Sequence, residues 1–413
     1  MLKVLASTWA LLLGLMLLML GNGMQGTLLG IRGAIENFST TEMSIVMSCY
    51  FVGFLFGSRM APEMIRRVGH VRVFAALGSM ISAVLILYAA APHWIAWALM
   101  RVVIGFSFSG VYITAESWLN NASTNENRGK TLSLYLIVQM IGIIAAQALL
   151  NFGDPAGYIL FVIPSVLVSL AFTPILLAVS PAPAFDNTRP MSFRKLYTTS
   201  PFGLVGIFLL GGVFSAQFGM ASVWGTQAGL LVRDLSIFIA AIYVGGLLFQ
   251  LPIGWLSDRM DRRRLAVILA AIGMLAVFLP VVVDLPFLGL LAVAVMMGGI
   301  SNPLYSLLLA YVNDYLDHKD MAAASAGLIF VNGVGAIAGP IATGWLMGLI
   351  GPSGFFLFMS VLFAALVAYG LWRSTQRRET PDASGAFTAL SPTASALAVE
   401  AALDRADEET TPA

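Results

Sequence analysis

Charge is scarce in this chain of 413 residues: Asp, Glu, Lys and Arg make up 10% of it, against about a quarter in an ordinary soluble domain. That is too little to coat a water-soluble globule of this size. A soluble enzyme is excluded, and 59% hydrophobic residues exclude a disordered chain. Cysteine is nearly missing. Cys49 and three histidines, His70, His93 and His318, cannot build a disulfide framework or a metal cluster, so no cofactor is expected. A net charge of +1 gives no basis for nucleic acid. The phosphate loop G-x-x-x-x-G-K-S/T is missing, so ATP is not expected as the driving force. A membrane enzyme would need a cluster of His, Cys or carboxylates at depth, and the sequence shows none.

What is abundant is long apolar runs separated by short polar breaks. They fall at about 8–33, 43–60, 71–90, 94–117, 130–150, 157–179, 202–224, 236–256, 264–283, 287–312, 321–348 and 354–372. Backbone in lipid must satisfy its own hydrogen bonds, so these runs predict helices; a barrel would show short alternating strands. The fold class is an all-α membrane protein with twelve transmembrane helices in two pseudo-symmetric six-helix halves. The first run passes 20 residues without a convincing cleavage site and reads as a retained helix, not a signal peptide.

With the N-terminus inside, 19 of the 22 Lys and Arg residues fall in cytoplasmic segments. Arg32 and Arg233 fall outside, and Arg101 lies within a span. This positive-inside pattern places both termini in the cytoplasm and the chain in a plasma (inner) membrane. Residues 181–200 are polar and Pro-containing and read as a cytoplasmic linker between bundles 1–180 and 201–373. Residues 374–413 are rich in Ala, Thr, Ser, Pro and acid, and read as a disordered cytoplasmic tail.

Sliding the chain on itself by about 193 residues produces matches. Tyr50 and its run Y-F-V-G-F-L-F fall on Tyr243 and Y-V-G-G-L-L-F, Gly105 on Gly299, Ser107 on Ser301, Gln139 on Asn332 and Gly142 on Gly335; Gln25 falls on Gln217 at 192. A shared offset across four pairs of spans implies two halves related by an axis along the membrane normal, with a solute site between them.

Polar side chains inside spans mark candidate sites. Gln25, Gln139, Gln217, Asn302, Tyr305 and Asn332 are candidate cavity-lining amides and hydroxyls; the alternative is helix–helix hydrogen bonding. Arg32 and Glu36 stand i,i+4 at the end of the first span. They can form a plain pair, or Arg32 can attract an anion from outside. Arg101 and Glu116 on the fourth span are about 60° apart around the helix, with Tyr112 between them on the same side. A buried Glu116 can carry a proton; otherwise it sits at the interface bonding loop amides. Gly333, Gly335 and Gly339-Pro340 read as packing and flexing elements, and most of the aromatics as packing or lipid-facing.

The loop after the eighth span reads Gly254-Trp255-Leu256-Ser257-Asp258-Arg259-Met260-Asp261-Arg262-Arg263-Arg264. It resembles the cytoplasmic loop signature of the major facilitator superfamily, G-x-L-a-D-r-x-G/D-r-r. Gly254, Asp258, Arg259, Asp261, Arg262 and Arg263 are thereby candidate gating residues, with topology-setting arginines as the alternative. The matching loop after the second span is degenerate, with Pro62 in place of the first glycine and Arg66 near the acid's position. Arg101-Val102-Val103-Ile104-Gly105 resembles the superfamily's R-x-x-x-G pattern, whose arginine is tied to proton movement in proton-coupled members. The fifth span lacks the G-P pair of many antiporters. The Y-F-V-G run, Glu116-Ser117, Asn127-Arg128-Gly129 and Gln250-Leu251-Pro252-Ile253-Gly254 resemble the YcaD-like branch. The resemblance covers roughly 8–372, leaving the tail outside. It implies a monomeric secondary active transporter of a small organic solute, coupled to protons, working by alternating access. An uncoupled facilitator and a non-transporting membrane sensor are the competing readings.

Overall fold

The computed structural model describes residues 2–122, 125–177, 191–316 and 318–376. Its helices are α1 (Leu2–Ile35), α2 (Thr40–Val68), α3 (His70–Ala90), α4 (Trp94–Ala122), α5 (Asn125–Leu149), α6 (Ile159–Leu177), α7 (Phe193–Thr199) and α8 (Pro201–Ser215). A π turn (Ala216–Met220) then leads into α9 (Ala221–Gln227), α10 (Val232–Ser257), α11 (Arg262–Val282), α12 (Phe287–Asn313), α13 (His318–Ile350) and α14 (Ser353–Gln376). Among the described residues there is no strand. Among the described residues eleven helical spans are long and apolar enough to cross a membrane, α8, the π turn and α9 counting as one; α6 is a further, shorter apolar helix that contains Pro164 and Pro174.

The helix ends follow local chemistry. Ser39 and Glu42 form a reciprocal capping box that starts α2. Gly69 ends α2 at φ +86°, a conformation side-chain-bearing residues rarely adopt, and lets α3 begin at once. Side chains such as Leu251, Leu99 and Trp345 stay exposed on the helix exteriors, where lipid would cover them.

Packing repeats across the halves. α2 packs on α4 as α10 packs on α12; α1 packs on α5 and α6 as α8 packs on α13 and α14; α3 meets α4 and α6 as α11 meets α12 and α14. The repeat reaches single atoms. A methyl added at Gly53 would overlap the Val102 carbonyl, and one at Gly105 the Tyr50 carbonyl. Gly245 meets the Val295 carbonyl and Gly298 the Ile242 carbonyl in the same reciprocal way. The offset there is 192–193, so Gly105 corresponds to Gly298 and not to Gly299. Gly339 packs on Gly212 and Ser215, and Gly333 on Leu55, as packing elements should.

The halves meet along α2–α13, along its repeat-related counterpart α10–α5, and along α1–α9. α1 begins and α14 ends on one face, which also carries Arg66, Arg67, Arg259, Arg264 and Arg373. Toward the opposite face small residues bring the halves together. Gly30 faces Ser222, Gly344 faces Ser44, and the Ser48 hydroxyl donates to the Ile337 carbonyl at 2.6 Å. On the basic face, Arg59 of α2 lies 4.3 Å from the ring centroid of Phe330 on α13.

Residues 178–190 lie outside the described residues, so the expected linker is seen only from Met191. That part is not plain coil: α7 buries Leu196 against Gly327, and Lys195 pairs with Asp320 at 2.9 Å. The expected tail begins three residues late, since α14 runs to Gln376; 377–413 lie outside the described residues.

Candidate functional site

A cavity of about 560 Å³, counting its part open to solvent, lies between the halves. α1 contributes Met19 and Asn22, α2 Tyr50, α4 Tyr112, and α5 Leu136, Gln139, Met140 and Ile143. From the other half come Phe214, Phe218, Tyr243 and Asn302. A smaller pocket beside it shares Tyr50 and Phe214 and adds Asn332. No lining residue of either carries a charge.

The sequence brings Tyr112, Gln139, Asn302 and Asn332 to these walls. Asn302 also bonds the Gly298 carbonyl at 3.2 Å, and Asn332 the Ile207 carbonyl at 3.2 Å, so each is partly held by its own half. Gln217 sits in the π turn, a geometry common at functional sites, and accepts from the Ser301 hydroxyl at 3.0 Å. Its Nε2 is buried without a hydrogen-bond partner, as is the Tyr305 hydroxyl; neither residue lines the cavity.

Gln25 stands behind the wall in a chain of hydrogen bonds. Arg101 Nη1 donates to Gln25 Oε1 at 2.9 Å, Gln25 Nε2 to Asn22 Oδ1 at 3.2 Å, and Asn22 Nδ2 to the Tyr112 hydroxyl at 2.9 Å. The chain links a fully buried guanidinium to the cavity. Arg101 also has Nη2 3.3 Å from Met47 Sδ and lies 4.8 Å from the Tyr50 ring centroid, while its Nε has no partner. No carboxylate among the described residues pairs with it.

Glu116 is buried and accepts from the Tyr135 hydroxyl at 2.8 Å. Fifteen residues along α4 separate it from Arg101 by about 22 Å, so the two do not meet. Tyr112 lies between them, one turn before Glu116 and at the end of the Arg101 chain.

Arg32 is the plain pair and more. It binds Glu36 at 2.7 Å and reaches the carbonyls of Pro155, Ala156 and Gly157, fastening α1 to the loop before α6. It takes no part in the cavity. Arg32→Ala should therefore lower thermal stability by about 1–2 kcal/mol while solute exchange per folded molecule stays near wild type. A selective loss of solute affinity in that variant would place Arg32 at the site after all.

The loop between α10 and α11 bonds to its own half at several points. Asp261 caps α11 by accepting from Arg264 N at 2.7 Å. Arg262 is buried and pairs with Asp314 at the end of α12 at 2.6 Å, and more loosely with Asp258 at 3.8 Å. Arg259 lies over Trp255 at 4.1 Å, Gly254 is buried in α10, and Arg263 is buried in the first turn of α11.

Tyr50, Tyr243, Asn22, Phe214 and Phe218 were not among the site residues read from the sequence, which assigned most aromatics to packing and lipid. Two signals were available. Tyr50 and Tyr243 head the two copies of the repeated run, and Asn22 is one helical turn before Gln25.

The family model described as Major Facilitator Superfamily matches residues 11–248 and again 232–403, reaching into the tail that the sequence reading left outside. The uncharacterized MFS-type transporter YcaD of Escherichia coli O45:K1 (strain S88 / ExPEC) is 27% identical over 355 residues, covering 82% of this chain and 88% of that protein. Its counterpart in Escherichia coli (strain K12 / DH10B) matches to the same extent. Among solved structures, the nucleoside transporter NupG (D323A mutant) superposes with a TM-score of 0.75 at 16% identity, covering 89% of this chain and 99% of that one. Unmutated NupG gives 0.68. At that identity the likeness speaks for the fold.

Proposed function

The chain belongs to the Major Facilitator Superfamily, and from that premise we propose that it is a secondary active transporter moving a small organic solute by alternating access, coupled to protons. The observation that carries the reading is the cavity between the halves, tied by Tyr112, Asn22 and Gln25 to the buried Arg101. A solute at Tyr112 can thereby alter the hydrogen bonds of a cation about one helix away. Residues 1–180 and 201–373 are the rocking bodies, and 181–200 is the linker. The basic face is cytoplasmic, in keeping with the positive-inside rule, and the chain acts as a monomer in the plasma (inner) membrane.

Counterflow in proteoliposomes tests the reading. Exchange of an internal for an external labelled solute is expected, with accumulation only when a proton gradient is imposed. Exchange without accumulation, with or without the gradient, would leave the uncoupled facilitator, which the separation of Arg101 from Glu116 favours. No exchange of any solute would leave a sensor.

We place a gate at the α10–α11 loop. Asp258→Asn should slow transport several-fold while the protein still folds and inserts, because Asp258 is half exposed and its pair with Arg262 is long. Asp314→Asn should unfold the basic end of α12 more readily, since it removes the charge paired at 2.6 Å with the buried Arg262. Undiminished transport by a normally inserted Asp258→Asn would remove the gate from this loop.

A further inference from the structure

We infer that the cavity selects uncharged, planar solutes with hydrogen-bonding edges. This rests on the transporter reading above. Arg32 made the sequence compatible with an anionic solute, and Arg101 is the cation nearest the cavity; the structure commits both elsewhere: Arg32 to Glu36 and three carbonyls, Arg101 to Gln25 behind the Tyr50 ring. The walls that remain hold no ion-pair partner for a solute of either sign. A charged solute entering from water would lose hydration and find nothing to replace it.

The shape of the walls supplies the second half of the inference. Phe214 and Phe218 are nearly parallel, 10° apart with centroids at 6.1 Å, and Tyr50 packs on Phe218 at 5.4 Å. These side chains form one continuous aromatic wall along the interface of α2 with α8 and its π turn. Around it the amides Asn22, Gln139 and Asn302 and the hydroxyls of Tyr112 and Tyr243 come from both halves. A flat ring against the aromatic wall, with donors and acceptors at its edge, uses both features at once. It also touches both halves, which a solute must do to bias their relative position.

The test uses the full chain, purified, with four matched probes: indole-3-carboxamide, indole-3-carboxylate, indole-3-methylamine and cyclohexanecarboxamide. Thermal stabilisation of the protein by the indole carboxamide is expected at concentrations at least about tenfold lower than by the carboxylate, the amine or the saturated ring. Asn302→Asp, or Gln139→Glu on the other half should the first not fold, is expected to reverse the order in favour of the amine. Equal or stronger stabilisation by either charged probe or by the saturated ring overturns the inference, as does no stabilisation by any probe. The same protein in proteoliposomes separates the two readings. Exchange of charged solutes alone overturns the selectivity and keeps the transporter. Carboxamide binding that reverses in Asn302→Asp, with no exchange of any solute, keeps the selectivity and overturns the transporter.

Discussion

Glu116→Gln is expected to abolish solute accumulation driven by a proton gradient while leaving solute exchange measurable. The side chain is buried on α4 and accepts from the Tyr135 hydroxyl, and a carboxylate within a span is a candidate proton carrier. A glutamine mimics the protonated form permanently: the half-reactions of exchange survive, and the step that needs the charge does not. Arg101→Lys should lower accumulation as well, by tenfold or so. One ammonium cannot hold Gln25 at 2.9 Å, approach Met47 and cover the Tyr50 ring together. Arg101 and Glu116 are about 22 Å apart, and the hydrogen bonds through Gln25 and Asn22 carry the influence of Arg101 as far as Tyr112. Asn22→Leu should then reproduce the Arg101→Lys phenotype without touching either charge. Wild-type accumulation and proton stoichiometry in Glu116→Gln would move coupling off α4.

The largest loss of folded protein is expected from Gly105→Val, matched by Gly298→Val. At each glycine a neighbouring helix carbonyl, that of Tyr50 or of Ile242, occupies the space a Cβ would need. α2–α4 and α10–α12 must then separate along their crossing, at 3 kcal/mol or so each, the upper part of the range for overpacking. Gly26, where an added Cβ would meet nothing, serves as control: Gly26→Ala should behave as wild type. Yield and melting temperature of the purified variants check this. A Gly298→Val chain as stable as wild type would break the equivalence of the two crossings.

How legible this was in the sequence depended on distance along the chain. Spans, repeat and the α10–α11 loop are local or periodic, and each could be read. Arg32–Glu36 was readable as an i,i+4 pair, but the carbonyls of 155–157 that also bind Arg32 are about 120 residues away. Asp258 stood out by its motif, yet the closer partner of Arg262 is Asp314, 52 residues on and outside the motif. The cavity was half legible. Amides in apolar spans are conspicuous because they are rare; Tyr50, Phe214, Phe218 and Tyr243 are not, because aromatics also fill cores and face lipid. α7 was hidden because seven residues inside a polar linker give no periodicity to read.

Alternating access is tested most directly by two distances in one molecule. In a Cys49→Ser background, spin labels at Met60 and Met260 report the basic mouth, and labels at Ile35 and Leu231 the opposite one; all four side chains are exposed. On addition of a solute that the protein exchanges, the two distances should change in opposite directions in membranes. Distances that change together, or that stay fixed while exchange proceeds, would contradict rocking of one half against the other.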